Sequence, residues 1–248
     1  ALPSLKIFEK KITSNTKAII LCNPCNPTGY VYSKEEIIKI ANLAKKHDLF
    51  IIVDEVYREF IYSGKSHFSI LEDDNFRENA ILIDSTSKRY SLCGARIGFV
   101  VSKNQEFIQT CLKFALTRLS PPSLALIAAN EALKTPESYI KNVIKEYSIR
   151  REILVEELSK IENIKFSNPM GAFYSIIKLP VENAENFAKF LLSDFSYKNM
   201  SVMLSPASGF YSSKDIGHDE VRIAFVLNSK KLKDAITIIN LGLKEYNS

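Results

Sequence analysis

The sequence predicts an α/β protein in which a mostly parallel sheet is covered by helices and a smaller α+β domain follows at the C-terminus. Three observations carry this. Short apolar runs rich in β-branched residues occupy residues 17–23, 49–54, 79–86 and 96–102, as expected of strands buried on both faces. Helical spacing separates several of them. Beyond Asn104 a long helical stretch leads into a mixed strand and helix pattern, so residues 1–150 are expected to form part of a large domain and residues 151–248 a small one.

The elements follow in order. After the first run, Ser33 and Glu36 form a capping box, with Ile37, Ile40, Ala41 and Ala44 at helical spacing behind them. Residues 105–119, 123–134 and 137–161 predict helices, the last long enough to join two domains. Residues 173–178, 201–204 and 221–226 predict strands, and residues 184–195 and 230–246 helices. In such a sheet the chemistry gathers just past the carboxyl ends of the strands.

Composition narrows the function. The chain has 248 residues, 46% of them hydrophobic and 25% charged, with a net charge of +5, which is ordinary for a globular protein. The charge is spread over pairs such as Lys10-Lys11, Lys45-Lys46 and Lys230-Lys231, so a solvated surface is favoured over a nucleic-acid face. No run is long and apolar enough for a membrane span, and Ala1-Leu2-Pro3-Ser4-Leu5-Lys6 lacks a signal-peptide pattern, so the expected location is the cytoplasm. Four Cys are too sparse for a disulfide scaffold, and His47, His67 and His218 lack ligand spacing, so no metal site is expected. Cys22-Asn23-Pro24-Cys25 also matches a thiol redox pattern, but such sites open a helix and here the helix begins only near Ser33.

Four segments stand out: Asn23-Pro24-Cys25-Asn26-Pro27-Thr28-Gly29, Asp54-Glu55-Val56-Tyr57, Ser85-Thr86-Ser87-Lys88 with Arg96 beyond it, and Glu220-Val221-Arg222-Ile223. Taken singly, each has an ordinary reading as a solvated lysine, a packed tyrosine or a turn asparagine. In this order and spacing they resemble the fold-type I, pyridoxal-phosphate-dependent aminotransferases of class I/II, most closely the aspartate aminotransferase group. The resemblance runs from about Thr16 to the C-terminus.

The resemblance implies roles. Pyridoxal 5'-phosphate needs an amine to hold it, an acid at its ring nitrogen, donors to its phenolic oxygen, and cations or hydroxyls for its phosphate. Lys88 matches the Schiff-base lysine, which also moves the substrate's proton. Asp54 matches the ring-nitrogen partner, Tyr57 and Asn26 the phenolate donors, and Ser85 and Arg96 the phosphate ligands, with Ser87 as a second hydroxyl. Glu55, one residue after Asp54, is expected to be structural. Asn26-Pro27 is expected to be cis. Arg222 matches the arginine that forks onto the substrate's α-carboxylate, and closure of its domain would expel water. Arg118 lies near a stretch from which some relatives send an arginine across a dimer to a second substrate carboxylate, although a surface arginine reads equally well.

The implied reaction moves an amino group between an L-amino acid, expected to be aspartate, and 2-oxoglutarate, in a homodimer without nucleic-acid or membrane partners. A lyase on the same fold and a catalytically silent domain are the alternatives. Relative to the family, the part before Asn23 is expected to be short, lacking a Gly-containing phosphate loop and the aromatic that stacks on the cofactor, and the 248-residue chain alone is not expected to turn over.

Overall fold

The computed structural model describes residues 4–62, 64 and 66–248, and these divide into two units. The first comprises residues up to Cys25 together with Val31–Lys141. It opens with α1 (Leu5–Lys11) and β1 (Ala18–Cys22), followed by α2 (Lys34–Lys46), β2 (Phe50–Asp54) and β3 (Ala80–Ser85). The three strands pair in parallel in the order β1, β2, β3. Their register sets Cys22 beside Asp54 and Asp54 beside Ile83, so β1 and β2 end level and β3 runs two residues further, to Ser85.

Helix α2 starts where the capping box predicts: Ser33 Oγ accepts from Glu36 N at 3.3 Å, and Glu36 Oε2 accepts from Ser33 N at 2.8 Å. Its apolar face, Ile37, Ile40, Ala41 and Ala44, is fully buried against Leu21, Ile51 and Val53. At roughly 1.5–3 kcal/mol for each buried large aliphatic side chain, this face anchors the helix to the sheet.

Beyond β3 comes α3 (Thr86–Arg89), then β4 (Gly98–Val101), which runs antiparallel to β3 with Ser85 opposite Gly98. The run at 96–102 is therefore a strand, but not one buried on both faces: Phe99, Val100 and Val101 are 41%, 47% and 43% exposed. The link from β3 contains only single helical turns, too short for the crossover that a parallel return requires. Helices α4 (Gln105–Arg118), α5 (Ser123–Ala132) and α6 (Glu137–Leu158) follow as predicted, and α6 carries the chain into the second unit.

The second unit joins Asn26–Tyr30 to Asn142–Ser248. Its strands β5 (Lys165–Phe166), β6 (Tyr174–Lys178), β7 (Ser205–Pro206) and β8 (Glu220–Ala224) form an antiparallel sheet in the order β5, β6, β8, β7. Phe187 and Leu191 of α7 (Ala184–Ser193) and Ile236, Ile239 and Leu243 of α8 (Ser229–Tyr246) form its helical core. The strand expected at 201–204 lies later, at Ser205–Pro206. Ser201 Oγ donates to the Leu191 carbonyl at the end of α7, and Met203 is 81% exposed, so this segment follows α7 before reaching β8. Among the described residues, no helix is long and apolar enough to cross a membrane.

Gly29 explains why a loop after β1 belongs to the second unit. Its φ is +68°, and its carbonyl accepts from both Met170 N and Gly171 N at 2.9 Å. A Cβ there would lie 2.6 Å from Pro169 Cβ and 2.8 Å from the Tyr174 carbonyl oxygen. Gly29→Ala should therefore lower stability by about 2–4 kcal/mol, combining left-handed strain with overpacking against backbone. A denaturant titration checks this, and an unchanged midpoint would contradict the close approach.

Candidate active site

Asp54 ends β2, half-buried, with Oδ1 accepting from Val56 N at 3.0 Å. Burial raises its pKa above the ordinary value. The Val56 N–H opposes that shift, and the nearby Asp84 and Glu55 charges add to it. Among the described residues, the ion pairs around it go to Glu55, Glu59 and Asp84 instead. Asp54 is thus a half-buried carboxylate with no cation of its own in that set.

Glu55 is fully buried and accepts from Ser69 Oγ at 2.9 Å and Ile70 N at 3.1 Å, with His67 Nε2 at 2.8 Å. It ties the following loop to the strand end, the structural role expected of it. Two residues on, the Tyr57 ring is buried, and Lys88 Nζ lies 5.8 Å from its centroid, a cation–π contact.

Lys88 sits in α3, a single turn capped by Ser85, whose Oγ accepts from Ser87 N at 3.1 Å. Ser85 Oγ also donates to the Ile97 carbonyl at 2.8 Å and lies 2.8 Å from Ser87 Oγ. Arg96 ends the next turn in a left-handed conformation, φ +58°, exposed and donating through Nη1 to the Cys93 carbonyl at 3.0 Å. The first unit therefore carries Asp54, Tyr57, Ser85, Ser87, Lys88 and Arg96 at the ends of β2 and β3 and on the loops that follow them.

An ion cluster that sequence reasoning missed lies against these residues. Arg89 Nη2 donates to Asp84 Oδ2 at 2.8 Å, and Arg89 Nε is 2.7 Å from Glu59 Oε1. Arg58 Nε pairs with the same Glu59 oxygen at 3.2 Å, and Arg58 Nη2 lies 3.7 Å from Asp84. The Arg89, Asp84 and Glu59 side chains are 13%, 10% and 20% exposed. Burial disfavours the Arg89 charge, but the two carboxylates outweigh it and hold its pKa above the usual guanidinium value. The available signal is Asp84, a carboxylate at the end of an apolar run, five residues before an arginine adjoining Lys88.

The second unit brings Asn26 and Arg222 together: Arg222 Nη1 donates to Asn26 Oδ1 at 3.1 Å. The Arg222 guanidinium lies between the rings of Tyr174 and Phe210, 4.8 and 5.0 Å from their centroids. Tyr211, next to Phe210, donates to Glu220 on β8, and burial with that carboxylate pushes its pKa up to about 12. Arg222 Nε is buried without a hydrogen-bond partner among the described residues. Asn23-Pro24 and Asn26-Pro27 are both cis, the second as the resemblance implies.

Arg118 lies exposed at the C-terminal end of α4, and no described contact brings it to the other candidates. Cys22 Sγ donates to the Pro24 carbonyl at 3.3 Å, and Cys25 lies in a loop well before α2, so neither opens a helix as a redox pair would require. Among the described residues, no group of three or more His, Cys, Asp or Glu could hold a metal ion.

A sequence profile of the family Aminotransferase class I and II matches residues 4–239. The chain belongs to that family. It is 33% identical over 239 residues to the aspartate aminotransferase of Sulfolobus acidocaldarius, covering 94% of this chain and 58% of that protein. Among solved structures it resembles an aromatic aminotransferase from Pyrococcus horikoshii, with TM-score 0.84 and 30% identity over 99% of this chain and 65% of the other. An aspartate aminotransferase from Thermotoga maritima gives TM-score 0.83 and 30% identity, covering 99% and 60%. The fold is that of the fold-type I enzymes, and pyridoxal 5'-phosphate is the cofactor of the family. The chain spans about three fifths of the length of the curated relatives it matches.

Proposed function

We propose that the protein containing this chain is a pyridoxal-phosphate-dependent aminotransferase. The observation that carries the reading is the grouping of Asp54, Tyr57 and Lys88 past adjacent parallel strands, with Asp54 half-buried and short of a cation. That donor set fits the cofactor: a protonated ring nitrogen is the partner such a carboxylate lacks. Asp54 would hold that proton, Tyr57 and Asn26 would donate toward the phenolic oxygen, and Ser85, Ser87 and Arg96 would take the phosphate. Bound there, the cofactor supplies an electron sink for bond breaking at the substrate's α-carbon. Lys88 would anchor it, then take the α-proton and return it two bonds away, on the far side of the amino nitrogen. Arg222, held between two rings with Nε unpartnered, would bind the substrate's α-carboxylate. The test is the visible absorbance of the full-length protein with pyridoxal phosphate, before and after L-aspartate. A spectrum that does not respond to any amino acid would overturn the reading.

We infer that aspartate and 2-oxoglutarate are the substrates, supported by the relatives named aspartate aminotransferase, with Arg118 as the second cation. The aromatic aminotransferase of similar fold supports an aromatic donor instead. Arg118→Leu separates them: KM for aspartate and 2-oxoglutarate should rise about tenfold or more while tyrosine is spared, reflecting one lost charge-assisted bond. Equal effects on both donors would remove Arg118 from substrate binding. A homodimer is supported by the exposed apolar side chains of α4 and α5, among them Phe114, Leu116, Leu124 and Ile127.

A further inference from the structure

We propose that Arg89 is a positioning residue whose guanidinium, gripped by Asp84 and Glu59, locks the turn that carries Lys88 onto the turn that carries Tyr57. The inference rests on the functional reading above only for the roles of Lys88 and Tyr57.

Helix α3 has four residues, far below the length at which a helix holds itself in water. At its start it is held by the Ser85 cap. At its other end the strong anchor is Arg89, which reaches back to Asp84 at the end of β3 and across to Glu59. Glu59 lies two residues beyond Tyr57, and the two belong to one tight turn in which Phe60 N donates to the Tyr57 carbonyl at 2.8 Å. One planar fork therefore touches both segments. Lys88 and Arg89 are adjacent in a helical turn, about 100° apart around its axis, so fixing the arginine fixes the direction of the lysine. That direction is toward the Tyr57 ring.

The arrangement also accounts for burying three charges, those of Arg89, Asp84 and Glu59. A buried ion cluster is weak evidence for stability, because desolvation offsets most of the attraction, whereas its geometry discriminates sharply between arrangements. Lysine cannot reproduce the grip, since a single ammonium lacks the extended guanidinium that donates to Asp84 through Nη2 while its Nε edge stays ion-paired with Glu59.

The experiment uses the full-length protein without cofactor, as wild type, Arg89→Lys and Arg89→Met. Amide hydrogen exchange is read at residues 86–90 and 56–60 against the strands at 18–22 and 50–54. Lys88 modification by a small amine-reactive reagent is read against Lys103 in the same sample. Arg89→Lys should melt as wild type does yet exchange at least tenfold faster at 86–90 and 56–60, with Lys88 reactivity changed several-fold relative to Lys103. Arg89→Met should show the larger effect; should it not fold, Arg89→Lys still decides. Unchanged exchange and reactivity in Arg89→Lys, or a rise shared equally by the strands, would overturn the proposal. Reductive trapping of pyridoxal phosphate on wild type is run alongside. Absence of label on Lys88 would count against the proposed function and leave the exchange result standing.

Discussion

Lys88→Ala is expected to abolish amino transfer in the full-length protein, with a loss of about 10²–10⁴-fold from general acid–base catalysis alone and more from the lost covalent anchor. No neighbouring group in the described site can substitute. Arg89 is committed to two carboxylates, and Lys103 pairs with Asp74. The variant should still bind pyridoxal phosphate noncovalently, because Asp54, Tyr57, Ser85 and Arg96 remain. Borohydride reduction and peptide mapping check the assignment directly: the pyridoxyl label should sit on Lys88 in wild type and disappear in the variant. A label on Lys103, or on Lys65, which lies outside the described residues, would sink it.

The second large effect is electronic. Asp54→Asn should lower kcat by roughly 10²–10³ with little change in KM, since a neutral amide removes a fixed charge that matters most where charge develops. Near-wild-type turnover would exclude Asp54 as the ring-nitrogen partner. The same variant has an opposite consequence for the protein without cofactor. Burial raises the folded pKa of Asp54 above its ordinary value of 3.8. A proton bound more tightly in the folded chain makes a contribution to stability that is fully present below pH 3.8 and lost as the pH rises through the folded value. The amide of the variant cannot ionise and escapes that loss. Without cofactor, then, Asp54→Asn should melt at or above wild type at neutral pH, the difference closing as the pH falls toward 3.8. Added pyridoxal phosphate should raise the wild-type Tm more than that of the variant. A variant less stable than wild type at neutral pH without cofactor would mean that the Asp54 charge has a partner.

Much of this site is legible in the amino-acid sequence because its signals are local. The capping box of Ser33 and Glu36, the apolar stripe of α2 and the runs of β1 to β3 rest on interactions within about four residues, and each element lies within two residues of its predicted ends. The run at 96–102 shows the limit of such reading. Its β-branched residues predict a strand correctly, but strand direction and burial depend on the connection and on neighbours. The segment 201–204 departs from its predicted strand for the same reason: Met203 has the composition of a strand, yet what precedes β8 is decided by contacts with α7.

By itself, the sequence determined the fold class and the order of the elements, because short-range periodicity is written residue by residue, and its resemblance to the aminotransferases named the residues proposed to hold the cofactor. Only the tertiary structure decided which of those residues meet. Asn26 and Arg222 are 196 positions apart and share a hydrogen bond because Gly29 lets its loop dock on Pro169 and Tyr174. The partners of Arg89 are set in the same way: the end of β3 supplies Asp84 and the turn after β2 supplies Glu59. The physical reason is common to both: a buried charge is tolerated only beside its partner, and the distance between partners is fixed by how strands and turns pack, which no local spacing encodes.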